Sequence, residues 1–569
     1  MKRCPQCRRD YYDDSLLYCL DDGSALLEGP ASADEPVTET LRSQEAPTKE
    51  QFPATDQSTT SPQKQEDVAA SARPSLKATA LIVVVSAVLL IGAIVGYRYL
   101  RVDDHSDQIH SIAVLPLENR SGNADTEYLS DGIADSLIYR LSQLRNLKVS
   151  PTSSVMAYKG KAIDVAEIAR ELNVDAVMSG RLVQIGDSLN ISVQLIDART
   201  NKLLWAEQYD RKTSDLLATQ REIAREIVEN LKLKVSPQEK GLTKHYTESN
   251  QAYQLYLKGR YYWNKRTDES MHRSIEFYQQ AIEADPSFAL AYSGLADTYN
   301  LICAPEAGGG EESPNEVLPK AKAAALKALE IDETLAEAHV SLAHPLYYYD
   351  RDFAGAEREF KRAIELNPDY ATAHHWYALY LTIVGRQTEA LAEIKRAQEL
   401  DPLSLPINVW VGWILSYTGH SDEAMGQLLK TKEMDPNFLL TRHRLALLYA
   451  ERKMYNEAIS EANDLYRISG GRLGKLTLAY VYAKAGMRRE ALEQVDSLIA
   501  ISKQRFISPG SIAIVYATLG ENDTAFKWLE RANAEHDLLA LRIKTDPRFE
   551  SLRGDPRFID LTTRMGLPQ

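Results

Sequence analysis

The sequence predicts a multidomain chain: one transmembrane helix, a small α/β domain of order β-α-β-α-β-β-β-α, and an all-α solenoid of repeated helix pairs. Three observations predict it. Residues 78–96 (ATALIVVVSAVLLIGAIVG) form a run of nineteen residues without a charge. Residues 108–236 alternate short apolar runs with amphipathic stretches. Farther on, Asp-Pro or Asn-Pro pairs end at Pro368, Pro402 and Pro436, each 34 residues after the one before.

Composition bounds the reading. The chain has 569 residues, of which 44% are hydrophobic and 26% charged, so there is apolar material for several cores. Its 66 basic and 80 acidic residues leave a net charge of −14, which argues against a nucleic-acid surface, since phosphate binding needs a basic face. Three of the four cysteines lie in the first twenty residues and Cys303 stands alone, so no disulfide framework can be built.

The N-terminal stretch, residues 1–28, offers Cys4-Pro5-Gln6-Cys7, whose two-residue spacing lets both sulfurs reach one tetrahedral ion. Its second half supplies Cys19, with Asp22 where a fourth cysteine is expected. A carboxylate can bind zinc, so Cys4, Cys7, Cys19 and Asp22 are the candidate ligands of a structural zinc, with Asp21, a water or a partner's side chain as alternatives for the fourth place. The stretch resembles the short zinc ribbons at the start of many bacterial membrane proteins and departs from them at that fourth position. Residues 29–76 are rich in Ser, Thr, Pro, Glu, Gln and Ala with almost no aromatics, the composition of a disordered linker.

The uncharged run belongs to a helix over 77–99. As a helix, nineteen residues span about 28 Å, close to the hydrocarbon thickness of a bilayer. It begins too far from residue 1 for a signal peptide. Basic residues flank both ends (Arg73 and Lys77, Arg98 and Arg101), so charge does not orient it. Thiolate ligands persist in a reducing compartment, which places the N-terminus in the cytoplasm and everything after residue 100 outside the inner membrane.

The α/β domain, 108–236, starts with an apolar strand at 111–117. A helix follows over 127–144, with Leu129, Ile133, Leu137, Leu141 and Leu144 on one face. A short strand at 147–150 and a helix at 164–172 come next. Strands at 176–185 and 189–196 make a hairpin across Gly186-Asp187-Ser188. A strand through Trp205 (203–209) and a helix at 215–233 finish the unit. The phrases IAVLPLENRSGN, YLSDGIADSLIYRLSQL and SVQLIDARTNKLLWAEQYDR resemble the TolB amino-terminal domain. No β-propeller follows, so TolB's own partners do not carry over. Tyr158-Lys159-Gly160-Lys161 is too short for a phosphate loop. Asp131 and Asp135 share a helix face and read as solvent contacts. With no nucleophile elbow or metalloprotease helix, the chain is expected not to be an enzyme, and no small-molecule substrate is apparent.

The solenoid, 249–540, resembles the tetratricopeptide repeat, two antiparallel helices per 34 residues, with about eight units here. Small residues recur in step, as at Ala378/Ala390/Ala397 and Gly412/Ala424, and let paired helices approach closely. An insertion around 307–314 reads as a loop, and Pro345 predicts a kink or late start in its helix. The resemblance implies a groove lined by the first helix of each unit. By repeat phase its wall includes Asn300, Tyr348, Tyr349, His375, Trp413, Tyr417, His443 and Tyr480, suited to a protein or peptide partner. The same aromatics equally suit packing between repeats. The ending, 541–569, carries Asp546-Pro547-Arg548-Phe549 and again Asp555-Pro556-Arg557-Phe558, two short helix starts that read as a lid on the last repeat.

Together these features describe a bacterial single-pass protein of the inner membrane. The expected function is a membrane-anchored scaffold or sensor that binds a protein or peptide. The alternative is a membrane-spanning signalling or transcriptional regulator with the N-terminal knuckle as its cytoplasmic output.

Overall fold

The computed structural model describes residues 2–3, 10–11, 27–28, 109–123, 126–144, 146–233, 246–304, 312–469 and 471–568. The chain divides into two compact units, residues 1–100 and 101–569. In the first, β1 (Lys2–Arg3), β2 (Asp10–Tyr11) and β3 (Leu27–Glu28) form an antiparallel sheet of order β2-β1-β3. The four candidate metal ligands, the 29–76 linker and the uncharged run at 78–96 lie outside the described residues. Among the described residues, no helix is long and apolar enough to cross a membrane.

The second unit opens with the α/β fold. Strand β4 (Ser111–Val114) is buried on both faces, as its unbroken apolar run requires. It pairs in parallel with β6 (Lys148–Val149) and with β7 (Ala176–Ile185). β8 (Ser188–Asp197) and β9 (Lys202–Lys212) continue the sheet antiparallel, giving the order β6-β4-β7-β8-β9. The β7–β8 turn is two residues, Gly186-Asp187, because Ile185 pairs with Ser188 and Gly186 takes a left-handed φ of 58°. Helix α1 (Glu127–Leu141) buries Leu129, Ile133, Leu137 and Leu141. Two short elements escape the sequence pattern: β5 (Glu118–Asn119), which pairs with β7, and α2 (Thr152–Met156). Helix α3 (Val165–Leu172) starts where Asp164 accepts from the N–H groups of Ala166 and Glu167. α4 (Leu216–Asn230) closes the domain.

Among the described residues, eight helix pairs follow. They are α5/α6 (Asn250–Lys265, Asp268–Ala284), α7/α8 (Ala289–Ile302, Pro314–Ile331), α9/α10 (Ala336–Tyr348, Phe353–Leu366) and α11/α12 (Ala371–Ile383, Gln387–Leu400). The rest are α13/α14 (Leu405–Tyr417, Ser421–Met434), α15/α16 (Leu439–Glu451, Tyr455–Ser469), α17/α18 (Arg472–Lys484, Arg488–Ile501) and α19/α20 (Pro509–Thr518, Asn522–Ala534). Close approach depends on absent side chains: a Cβ on Gly259 of α5 would lie 2.6 Å from Tyr278 of α6, and one on Gly294 of α7 would lie 2.5 Å from the same ring, which is fully buried.

Sequence punctuation explains the joints. Within pairs the turn needs one left-handed residue. Gly385, Gly419, Gly486 and Gly520 supply it in four repeats, and Arg266, Arg351 and Lys453 do so in three others, with φ of 55–62°. Between pairs an Asp or Asn folds its side chain onto the N–H two residues on: Asp285 to Ser287, Asp332 to Thr334, Asn367 to Asp369 and Asp435 to Asn437. Pro345 sits inside α9 rather than delaying its start. Its missing N–H frees the Ser341 carbonyl, and Asn300 Nδ2 donates to that oxygen at 2.9 Å.

The α/β domain shares its core with the first repeats. Tyr253 and Leu257 of α5, Phe288, and Leu335 pack in the same buried cluster as β4 and α1. Gly132 permits a close approach, since a Cβ there would meet the Leu257 side chain at 3.1 Å. Asp131 and Asp135 are not solvent contacts. Asp135 is buried and bound by Arg260 of α5 at 2.9 and 3.0 Å, and Thr152 donates to it at 2.6 Å. Asp131 is bound by Lys159 at 2.7 Å. The two carboxylates share one helix face, which α5 covers at Asp135 and Lys159 at Asp131.

Candidate functional site

The predicted partner-binding residues map onto the first helices of repeats 2 to 7, apart from Tyr349, which caps α9. Asn300, Tyr348, His375, Trp413, His443 and Tyr480 are buried; Tyr349 and Tyr417 are half-buried. What covers much of this wall is the chain's own C-terminal segment. After α20 it forms α21 (Leu538–Leu541), a 3-10 turn over Pro547–Leu552, and α22 (Pro556–Arg564).

The segment enters beside repeat 3. The Leu538 N–H donates to the Tyr348 hydroxyl at 3.1 Å, and His536 stacks on Tyr349 with ring centroids 4.5 Å apart. His536 also contacts Asn315 at 2.6 Å, so the last repeat touches the second. Arg542 then lies over Trp413 at 4.3 Å and over Trp410 at 5.1 Å, and is only 2% exposed. Arg444, from α15, covers the same two indoles at 3.8 and 5.2 Å. Two guanidiniums thus flank a pair of indoles whose faces carry negative potential.

Farther along, Asp546 is fully buried and caps the 3-10 turn through the Arg548 N–H. Burial opposes its ionisation, but the Arg548 guanidinium, at 2.6 to 3.1 Å, overrides that and holds the carboxyl below its ordinary value. Ser551 donates to the Ala517 carbonyl at 3.4 Å, so the segment touches the last repeat, and the residues before it fill the wall as well.

On this wall, among the described residues, a pocket of about 250 Å³ is lined by Trp413, Tyr417, Arg444, Leu448, Glu451 and Arg548, among others. Aromatic and aliphatic sides end in two cations and one carboxylate, a set that suits one side chain of a peptide. Burial raises the Tyr417 phenol, so it stays a neutral donor. The Tyr480 hydroxyl donates to Glu451 and fixes that carboxylate.

The histidines on the wall are held neutral. Burial pushes His375 and His344 down to about 3, with Arg266 and Arg542 adding repulsion. His443 is lowered by burial, then by Arg444 and Arg548, and its Nδ1 meets the Thr477 hydroxyl at 2.8 Å. Among the described residues, no group of three or more His, Cys, Asp or Glu is placed to hold a metal ion.

Repeat phase found Trp413 and Tyr417 but missed Arg444, Glu451, Arg542 and Arg548. Arg444 had a weak signal, the Arg442-His443-Arg444 cluster on a mostly apolar helix. Arg542 had none, because Trp410 and Trp413 lie more than a hundred residues away in sequence; Arg548 stands in the Asp546-Pro547-Arg548-Phe549 motif, which shows its neighbour Asp546 but not its place in the pocket.

Comparison with known proteins adds the following. Residues 107–226, the α/β domain, match the family model of the second domain of HilA/YgeH-like transcriptional regulators. A protein of Rhizobium meliloti (strain 1021), named "Putative adenylate cyclase 3", is 34% identical over 187 residues, which is 33% of this chain. The match spans about a third (32%) of that relative's length. A thermophilic TPR protein of Thermus thermophilus is similar in structure at 19% identity and a TM-score of 0.30, over 35% of this chain and 98% of its own. The human IFIT1 dimer with m7Gppp-AAAA is similar at 17% identity and a TM-score of 0.36, over 62% and 87%.

Proposed function

We propose that this chain is a non-catalytic, membrane-anchored interaction scaffold whose repeats hold a protein or peptide partner. The observation that carries this reading is the pocket on the first-helix wall beside the C-terminal segment. At about 250 Å³ it is too small for a folded partner's surface and large enough for one anchoring side chain. The repeat stack around it is rigid, since each helix pair buries its apolar face on the next. The uncharged run at 78–96 supplies the anchor, with the N-terminus in the cytoplasm and the repeats outside the inner membrane. A zinc ion on Cys4, Cys7, Cys19 and Asp22 would order the N-terminal stretch, and zinc content of full-length protein, with and without Asp22→Ala, tests that part.

A photo-crosslinking residue in place of Tyr417, in the full-length chain in cells, tests the scaffold reading. The expected result is a discrete adduct absent when the crosslinker replaces exposed Lys395. Equal labelling at both positions refutes it.

A second reading is favoured by the match of residues 107–226: a membrane-spanning regulator whose N-terminal stretch is the cytoplasmic output. A transcriptional change on deleting residues 1–28, with the rest intact, would favour it. The name of the Rhizobium meliloti relative raises a catalytic alternative. Purified full-length protein is expected to form no cyclic AMP from ATP, and formation of it would overturn the non-catalytic reading.

A further inference from the structure

The open end of the α/β sheet carries an inference that does not depend on what the repeats bind. β9 is an edge strand of eleven residues, and among the described residues no strand pairs with its outer side. Its ladder with β8 runs in one register from Ser188↔Lys212 to Leu195↔Trp205. The Thr213 N–H donates to the Asp187 carbonyl at 2.9 Å, so odd-numbered residues of this stretch bond inward. The N–H and C=O groups of Ala206, Gln208, Asp210 and Lys212 therefore point outward, and all four residues are exposed.

An open edge of this length is a template for another strand, and charges usually guard it. Here the charges have an antisymmetric order: Glu207 precedes Tyr209 by two residues and Arg211 follows it by two. We propose that β9 pairs antiparallel with β9 of a second copy of this chain, about a two-fold axis at Tyr209. That register sets Glu207 of one copy opposite Arg211 of the other, twice. It also sets Gln208 opposite Asp210, twice, and lets the outward groups of Ala206, Gln208, Asp210 and Lys212 bond to each other. Pairing about Glu207 instead would oppose Glu207 to itself and Lys202 to Lys212. Arg211 already reaches across the helix face to Glu222 at 3.1 Å, so its guanidinium lies on the side where Glu207 of the other copy arrives. The product is a continuous sheet through two molecules, with the two repeat stacks carried outward.

Light scattering of full-length protein in nonionic detergent over a concentration series tests this. The wild type is expected to be a dimer. Glu207→Arg alone and Arg211→Glu alone each place like charges opposite one another and weaken self-association by about tenfold or more. An equimolar mixture of the two variants restores both opposite-charge pairs and regains the dimer, which a misfolded variant could not do. Gln208→Pro removes an outward N–H without touching the β8 ladder and also gives monomer. A wild type that is monomeric throughout, a dimer indifferent to these variants, or a variant mixture that stays monomeric would each overturn the proposal.

Discussion

Asp297 of α7 is 8% exposed and accepts from the Ser341 hydroxyl. Burial pushes its carboxyl up to about 6, against the pull of Ser341, Arg260 and Arg266, and burial pushes Glu337 up to about 7. Both acids hold a proton more tightly folded than unfolded, so stability falls as pH rises from about 4 toward 7 and is then flat in their contribution. Urea midpoints at about pH 5 and about pH 7.5 measure this, and Asp297→Asn is expected to flatten the difference. Equal slopes in variant and wild type would show that Asp297 ionises freely. At this scale the sequence placed Asn300 on the right helix but not its role. Asn300 feeds a carbonyl that Pro345 leaves bare, and that pairing across two repeats has no periodic signature. Trp413 and Tyr417 were found because they repeat in phase; the arginines on Trp413 come from elsewhere.

Helices and turns were far more legible. Small residues recur in step through the pairs, and an Asp-Pro or Asn-Pro joint closes four of them, at Pro286, Pro368, Pro402 and Pro436, so the period shows which segments are helical. β5 and α2 were invisible because two and five residues are too few for any period to register. The turns within pairs predict a stability change. Lys453 occupies a left-handed position, φ 60°, that Gly fills in four other repeats. A side chain there costs about 1–2 kcal/mol, partly offset because Gly frees the unfolded chain. Lys453→Gly is expected to raise stability by roughly 0.5–1 kcal/mol in a denaturant titration, whereas Gly419→Ala, at φ 84°, should lower it by about 1 kcal/mol.

For the molecule as a whole, two long-range connections decide what the wall can do, and neither was legible, since contacts across a hundred residues leave no local pattern. One is the C-terminal segment. Arg542→Ala removes a cation from two buried indoles and is expected to cost about 2 kcal/mol and to red-shift the emission of Trp410 and Trp413. The other is Asp401. Asp285, Asp332, Asn367 and Asp435 at four other joints bond their own backbone, whereas the Asp401 carboxylate accepts from Ser153 and from Ser154 of the α/β domain, the latter at 2.6 Å. Ser154 in turn accepts from the Leu403 N–H at 3.1 Å. The joint between repeats 4 and 5 is thereby pinned to α2, so the α/β domain is held at the first repeat and again at the fourth. Burial raises the Asp401 carboxyl, with the serine hydroxyls opposing, so the contact is a hydroxyl–carboxyl clasp without a counter-cation. Asp401→Ala should cost about 2 kcal/mol and speed amide exchange in α2 and at Leu403, leaving α19 and α20 unchanged. If exchange rises equally in the last repeats, Asp401 is a joint of the stack alone; if it rises only near α2, this carboxyl is what transmits a displacement of the repeats to the α/β domain.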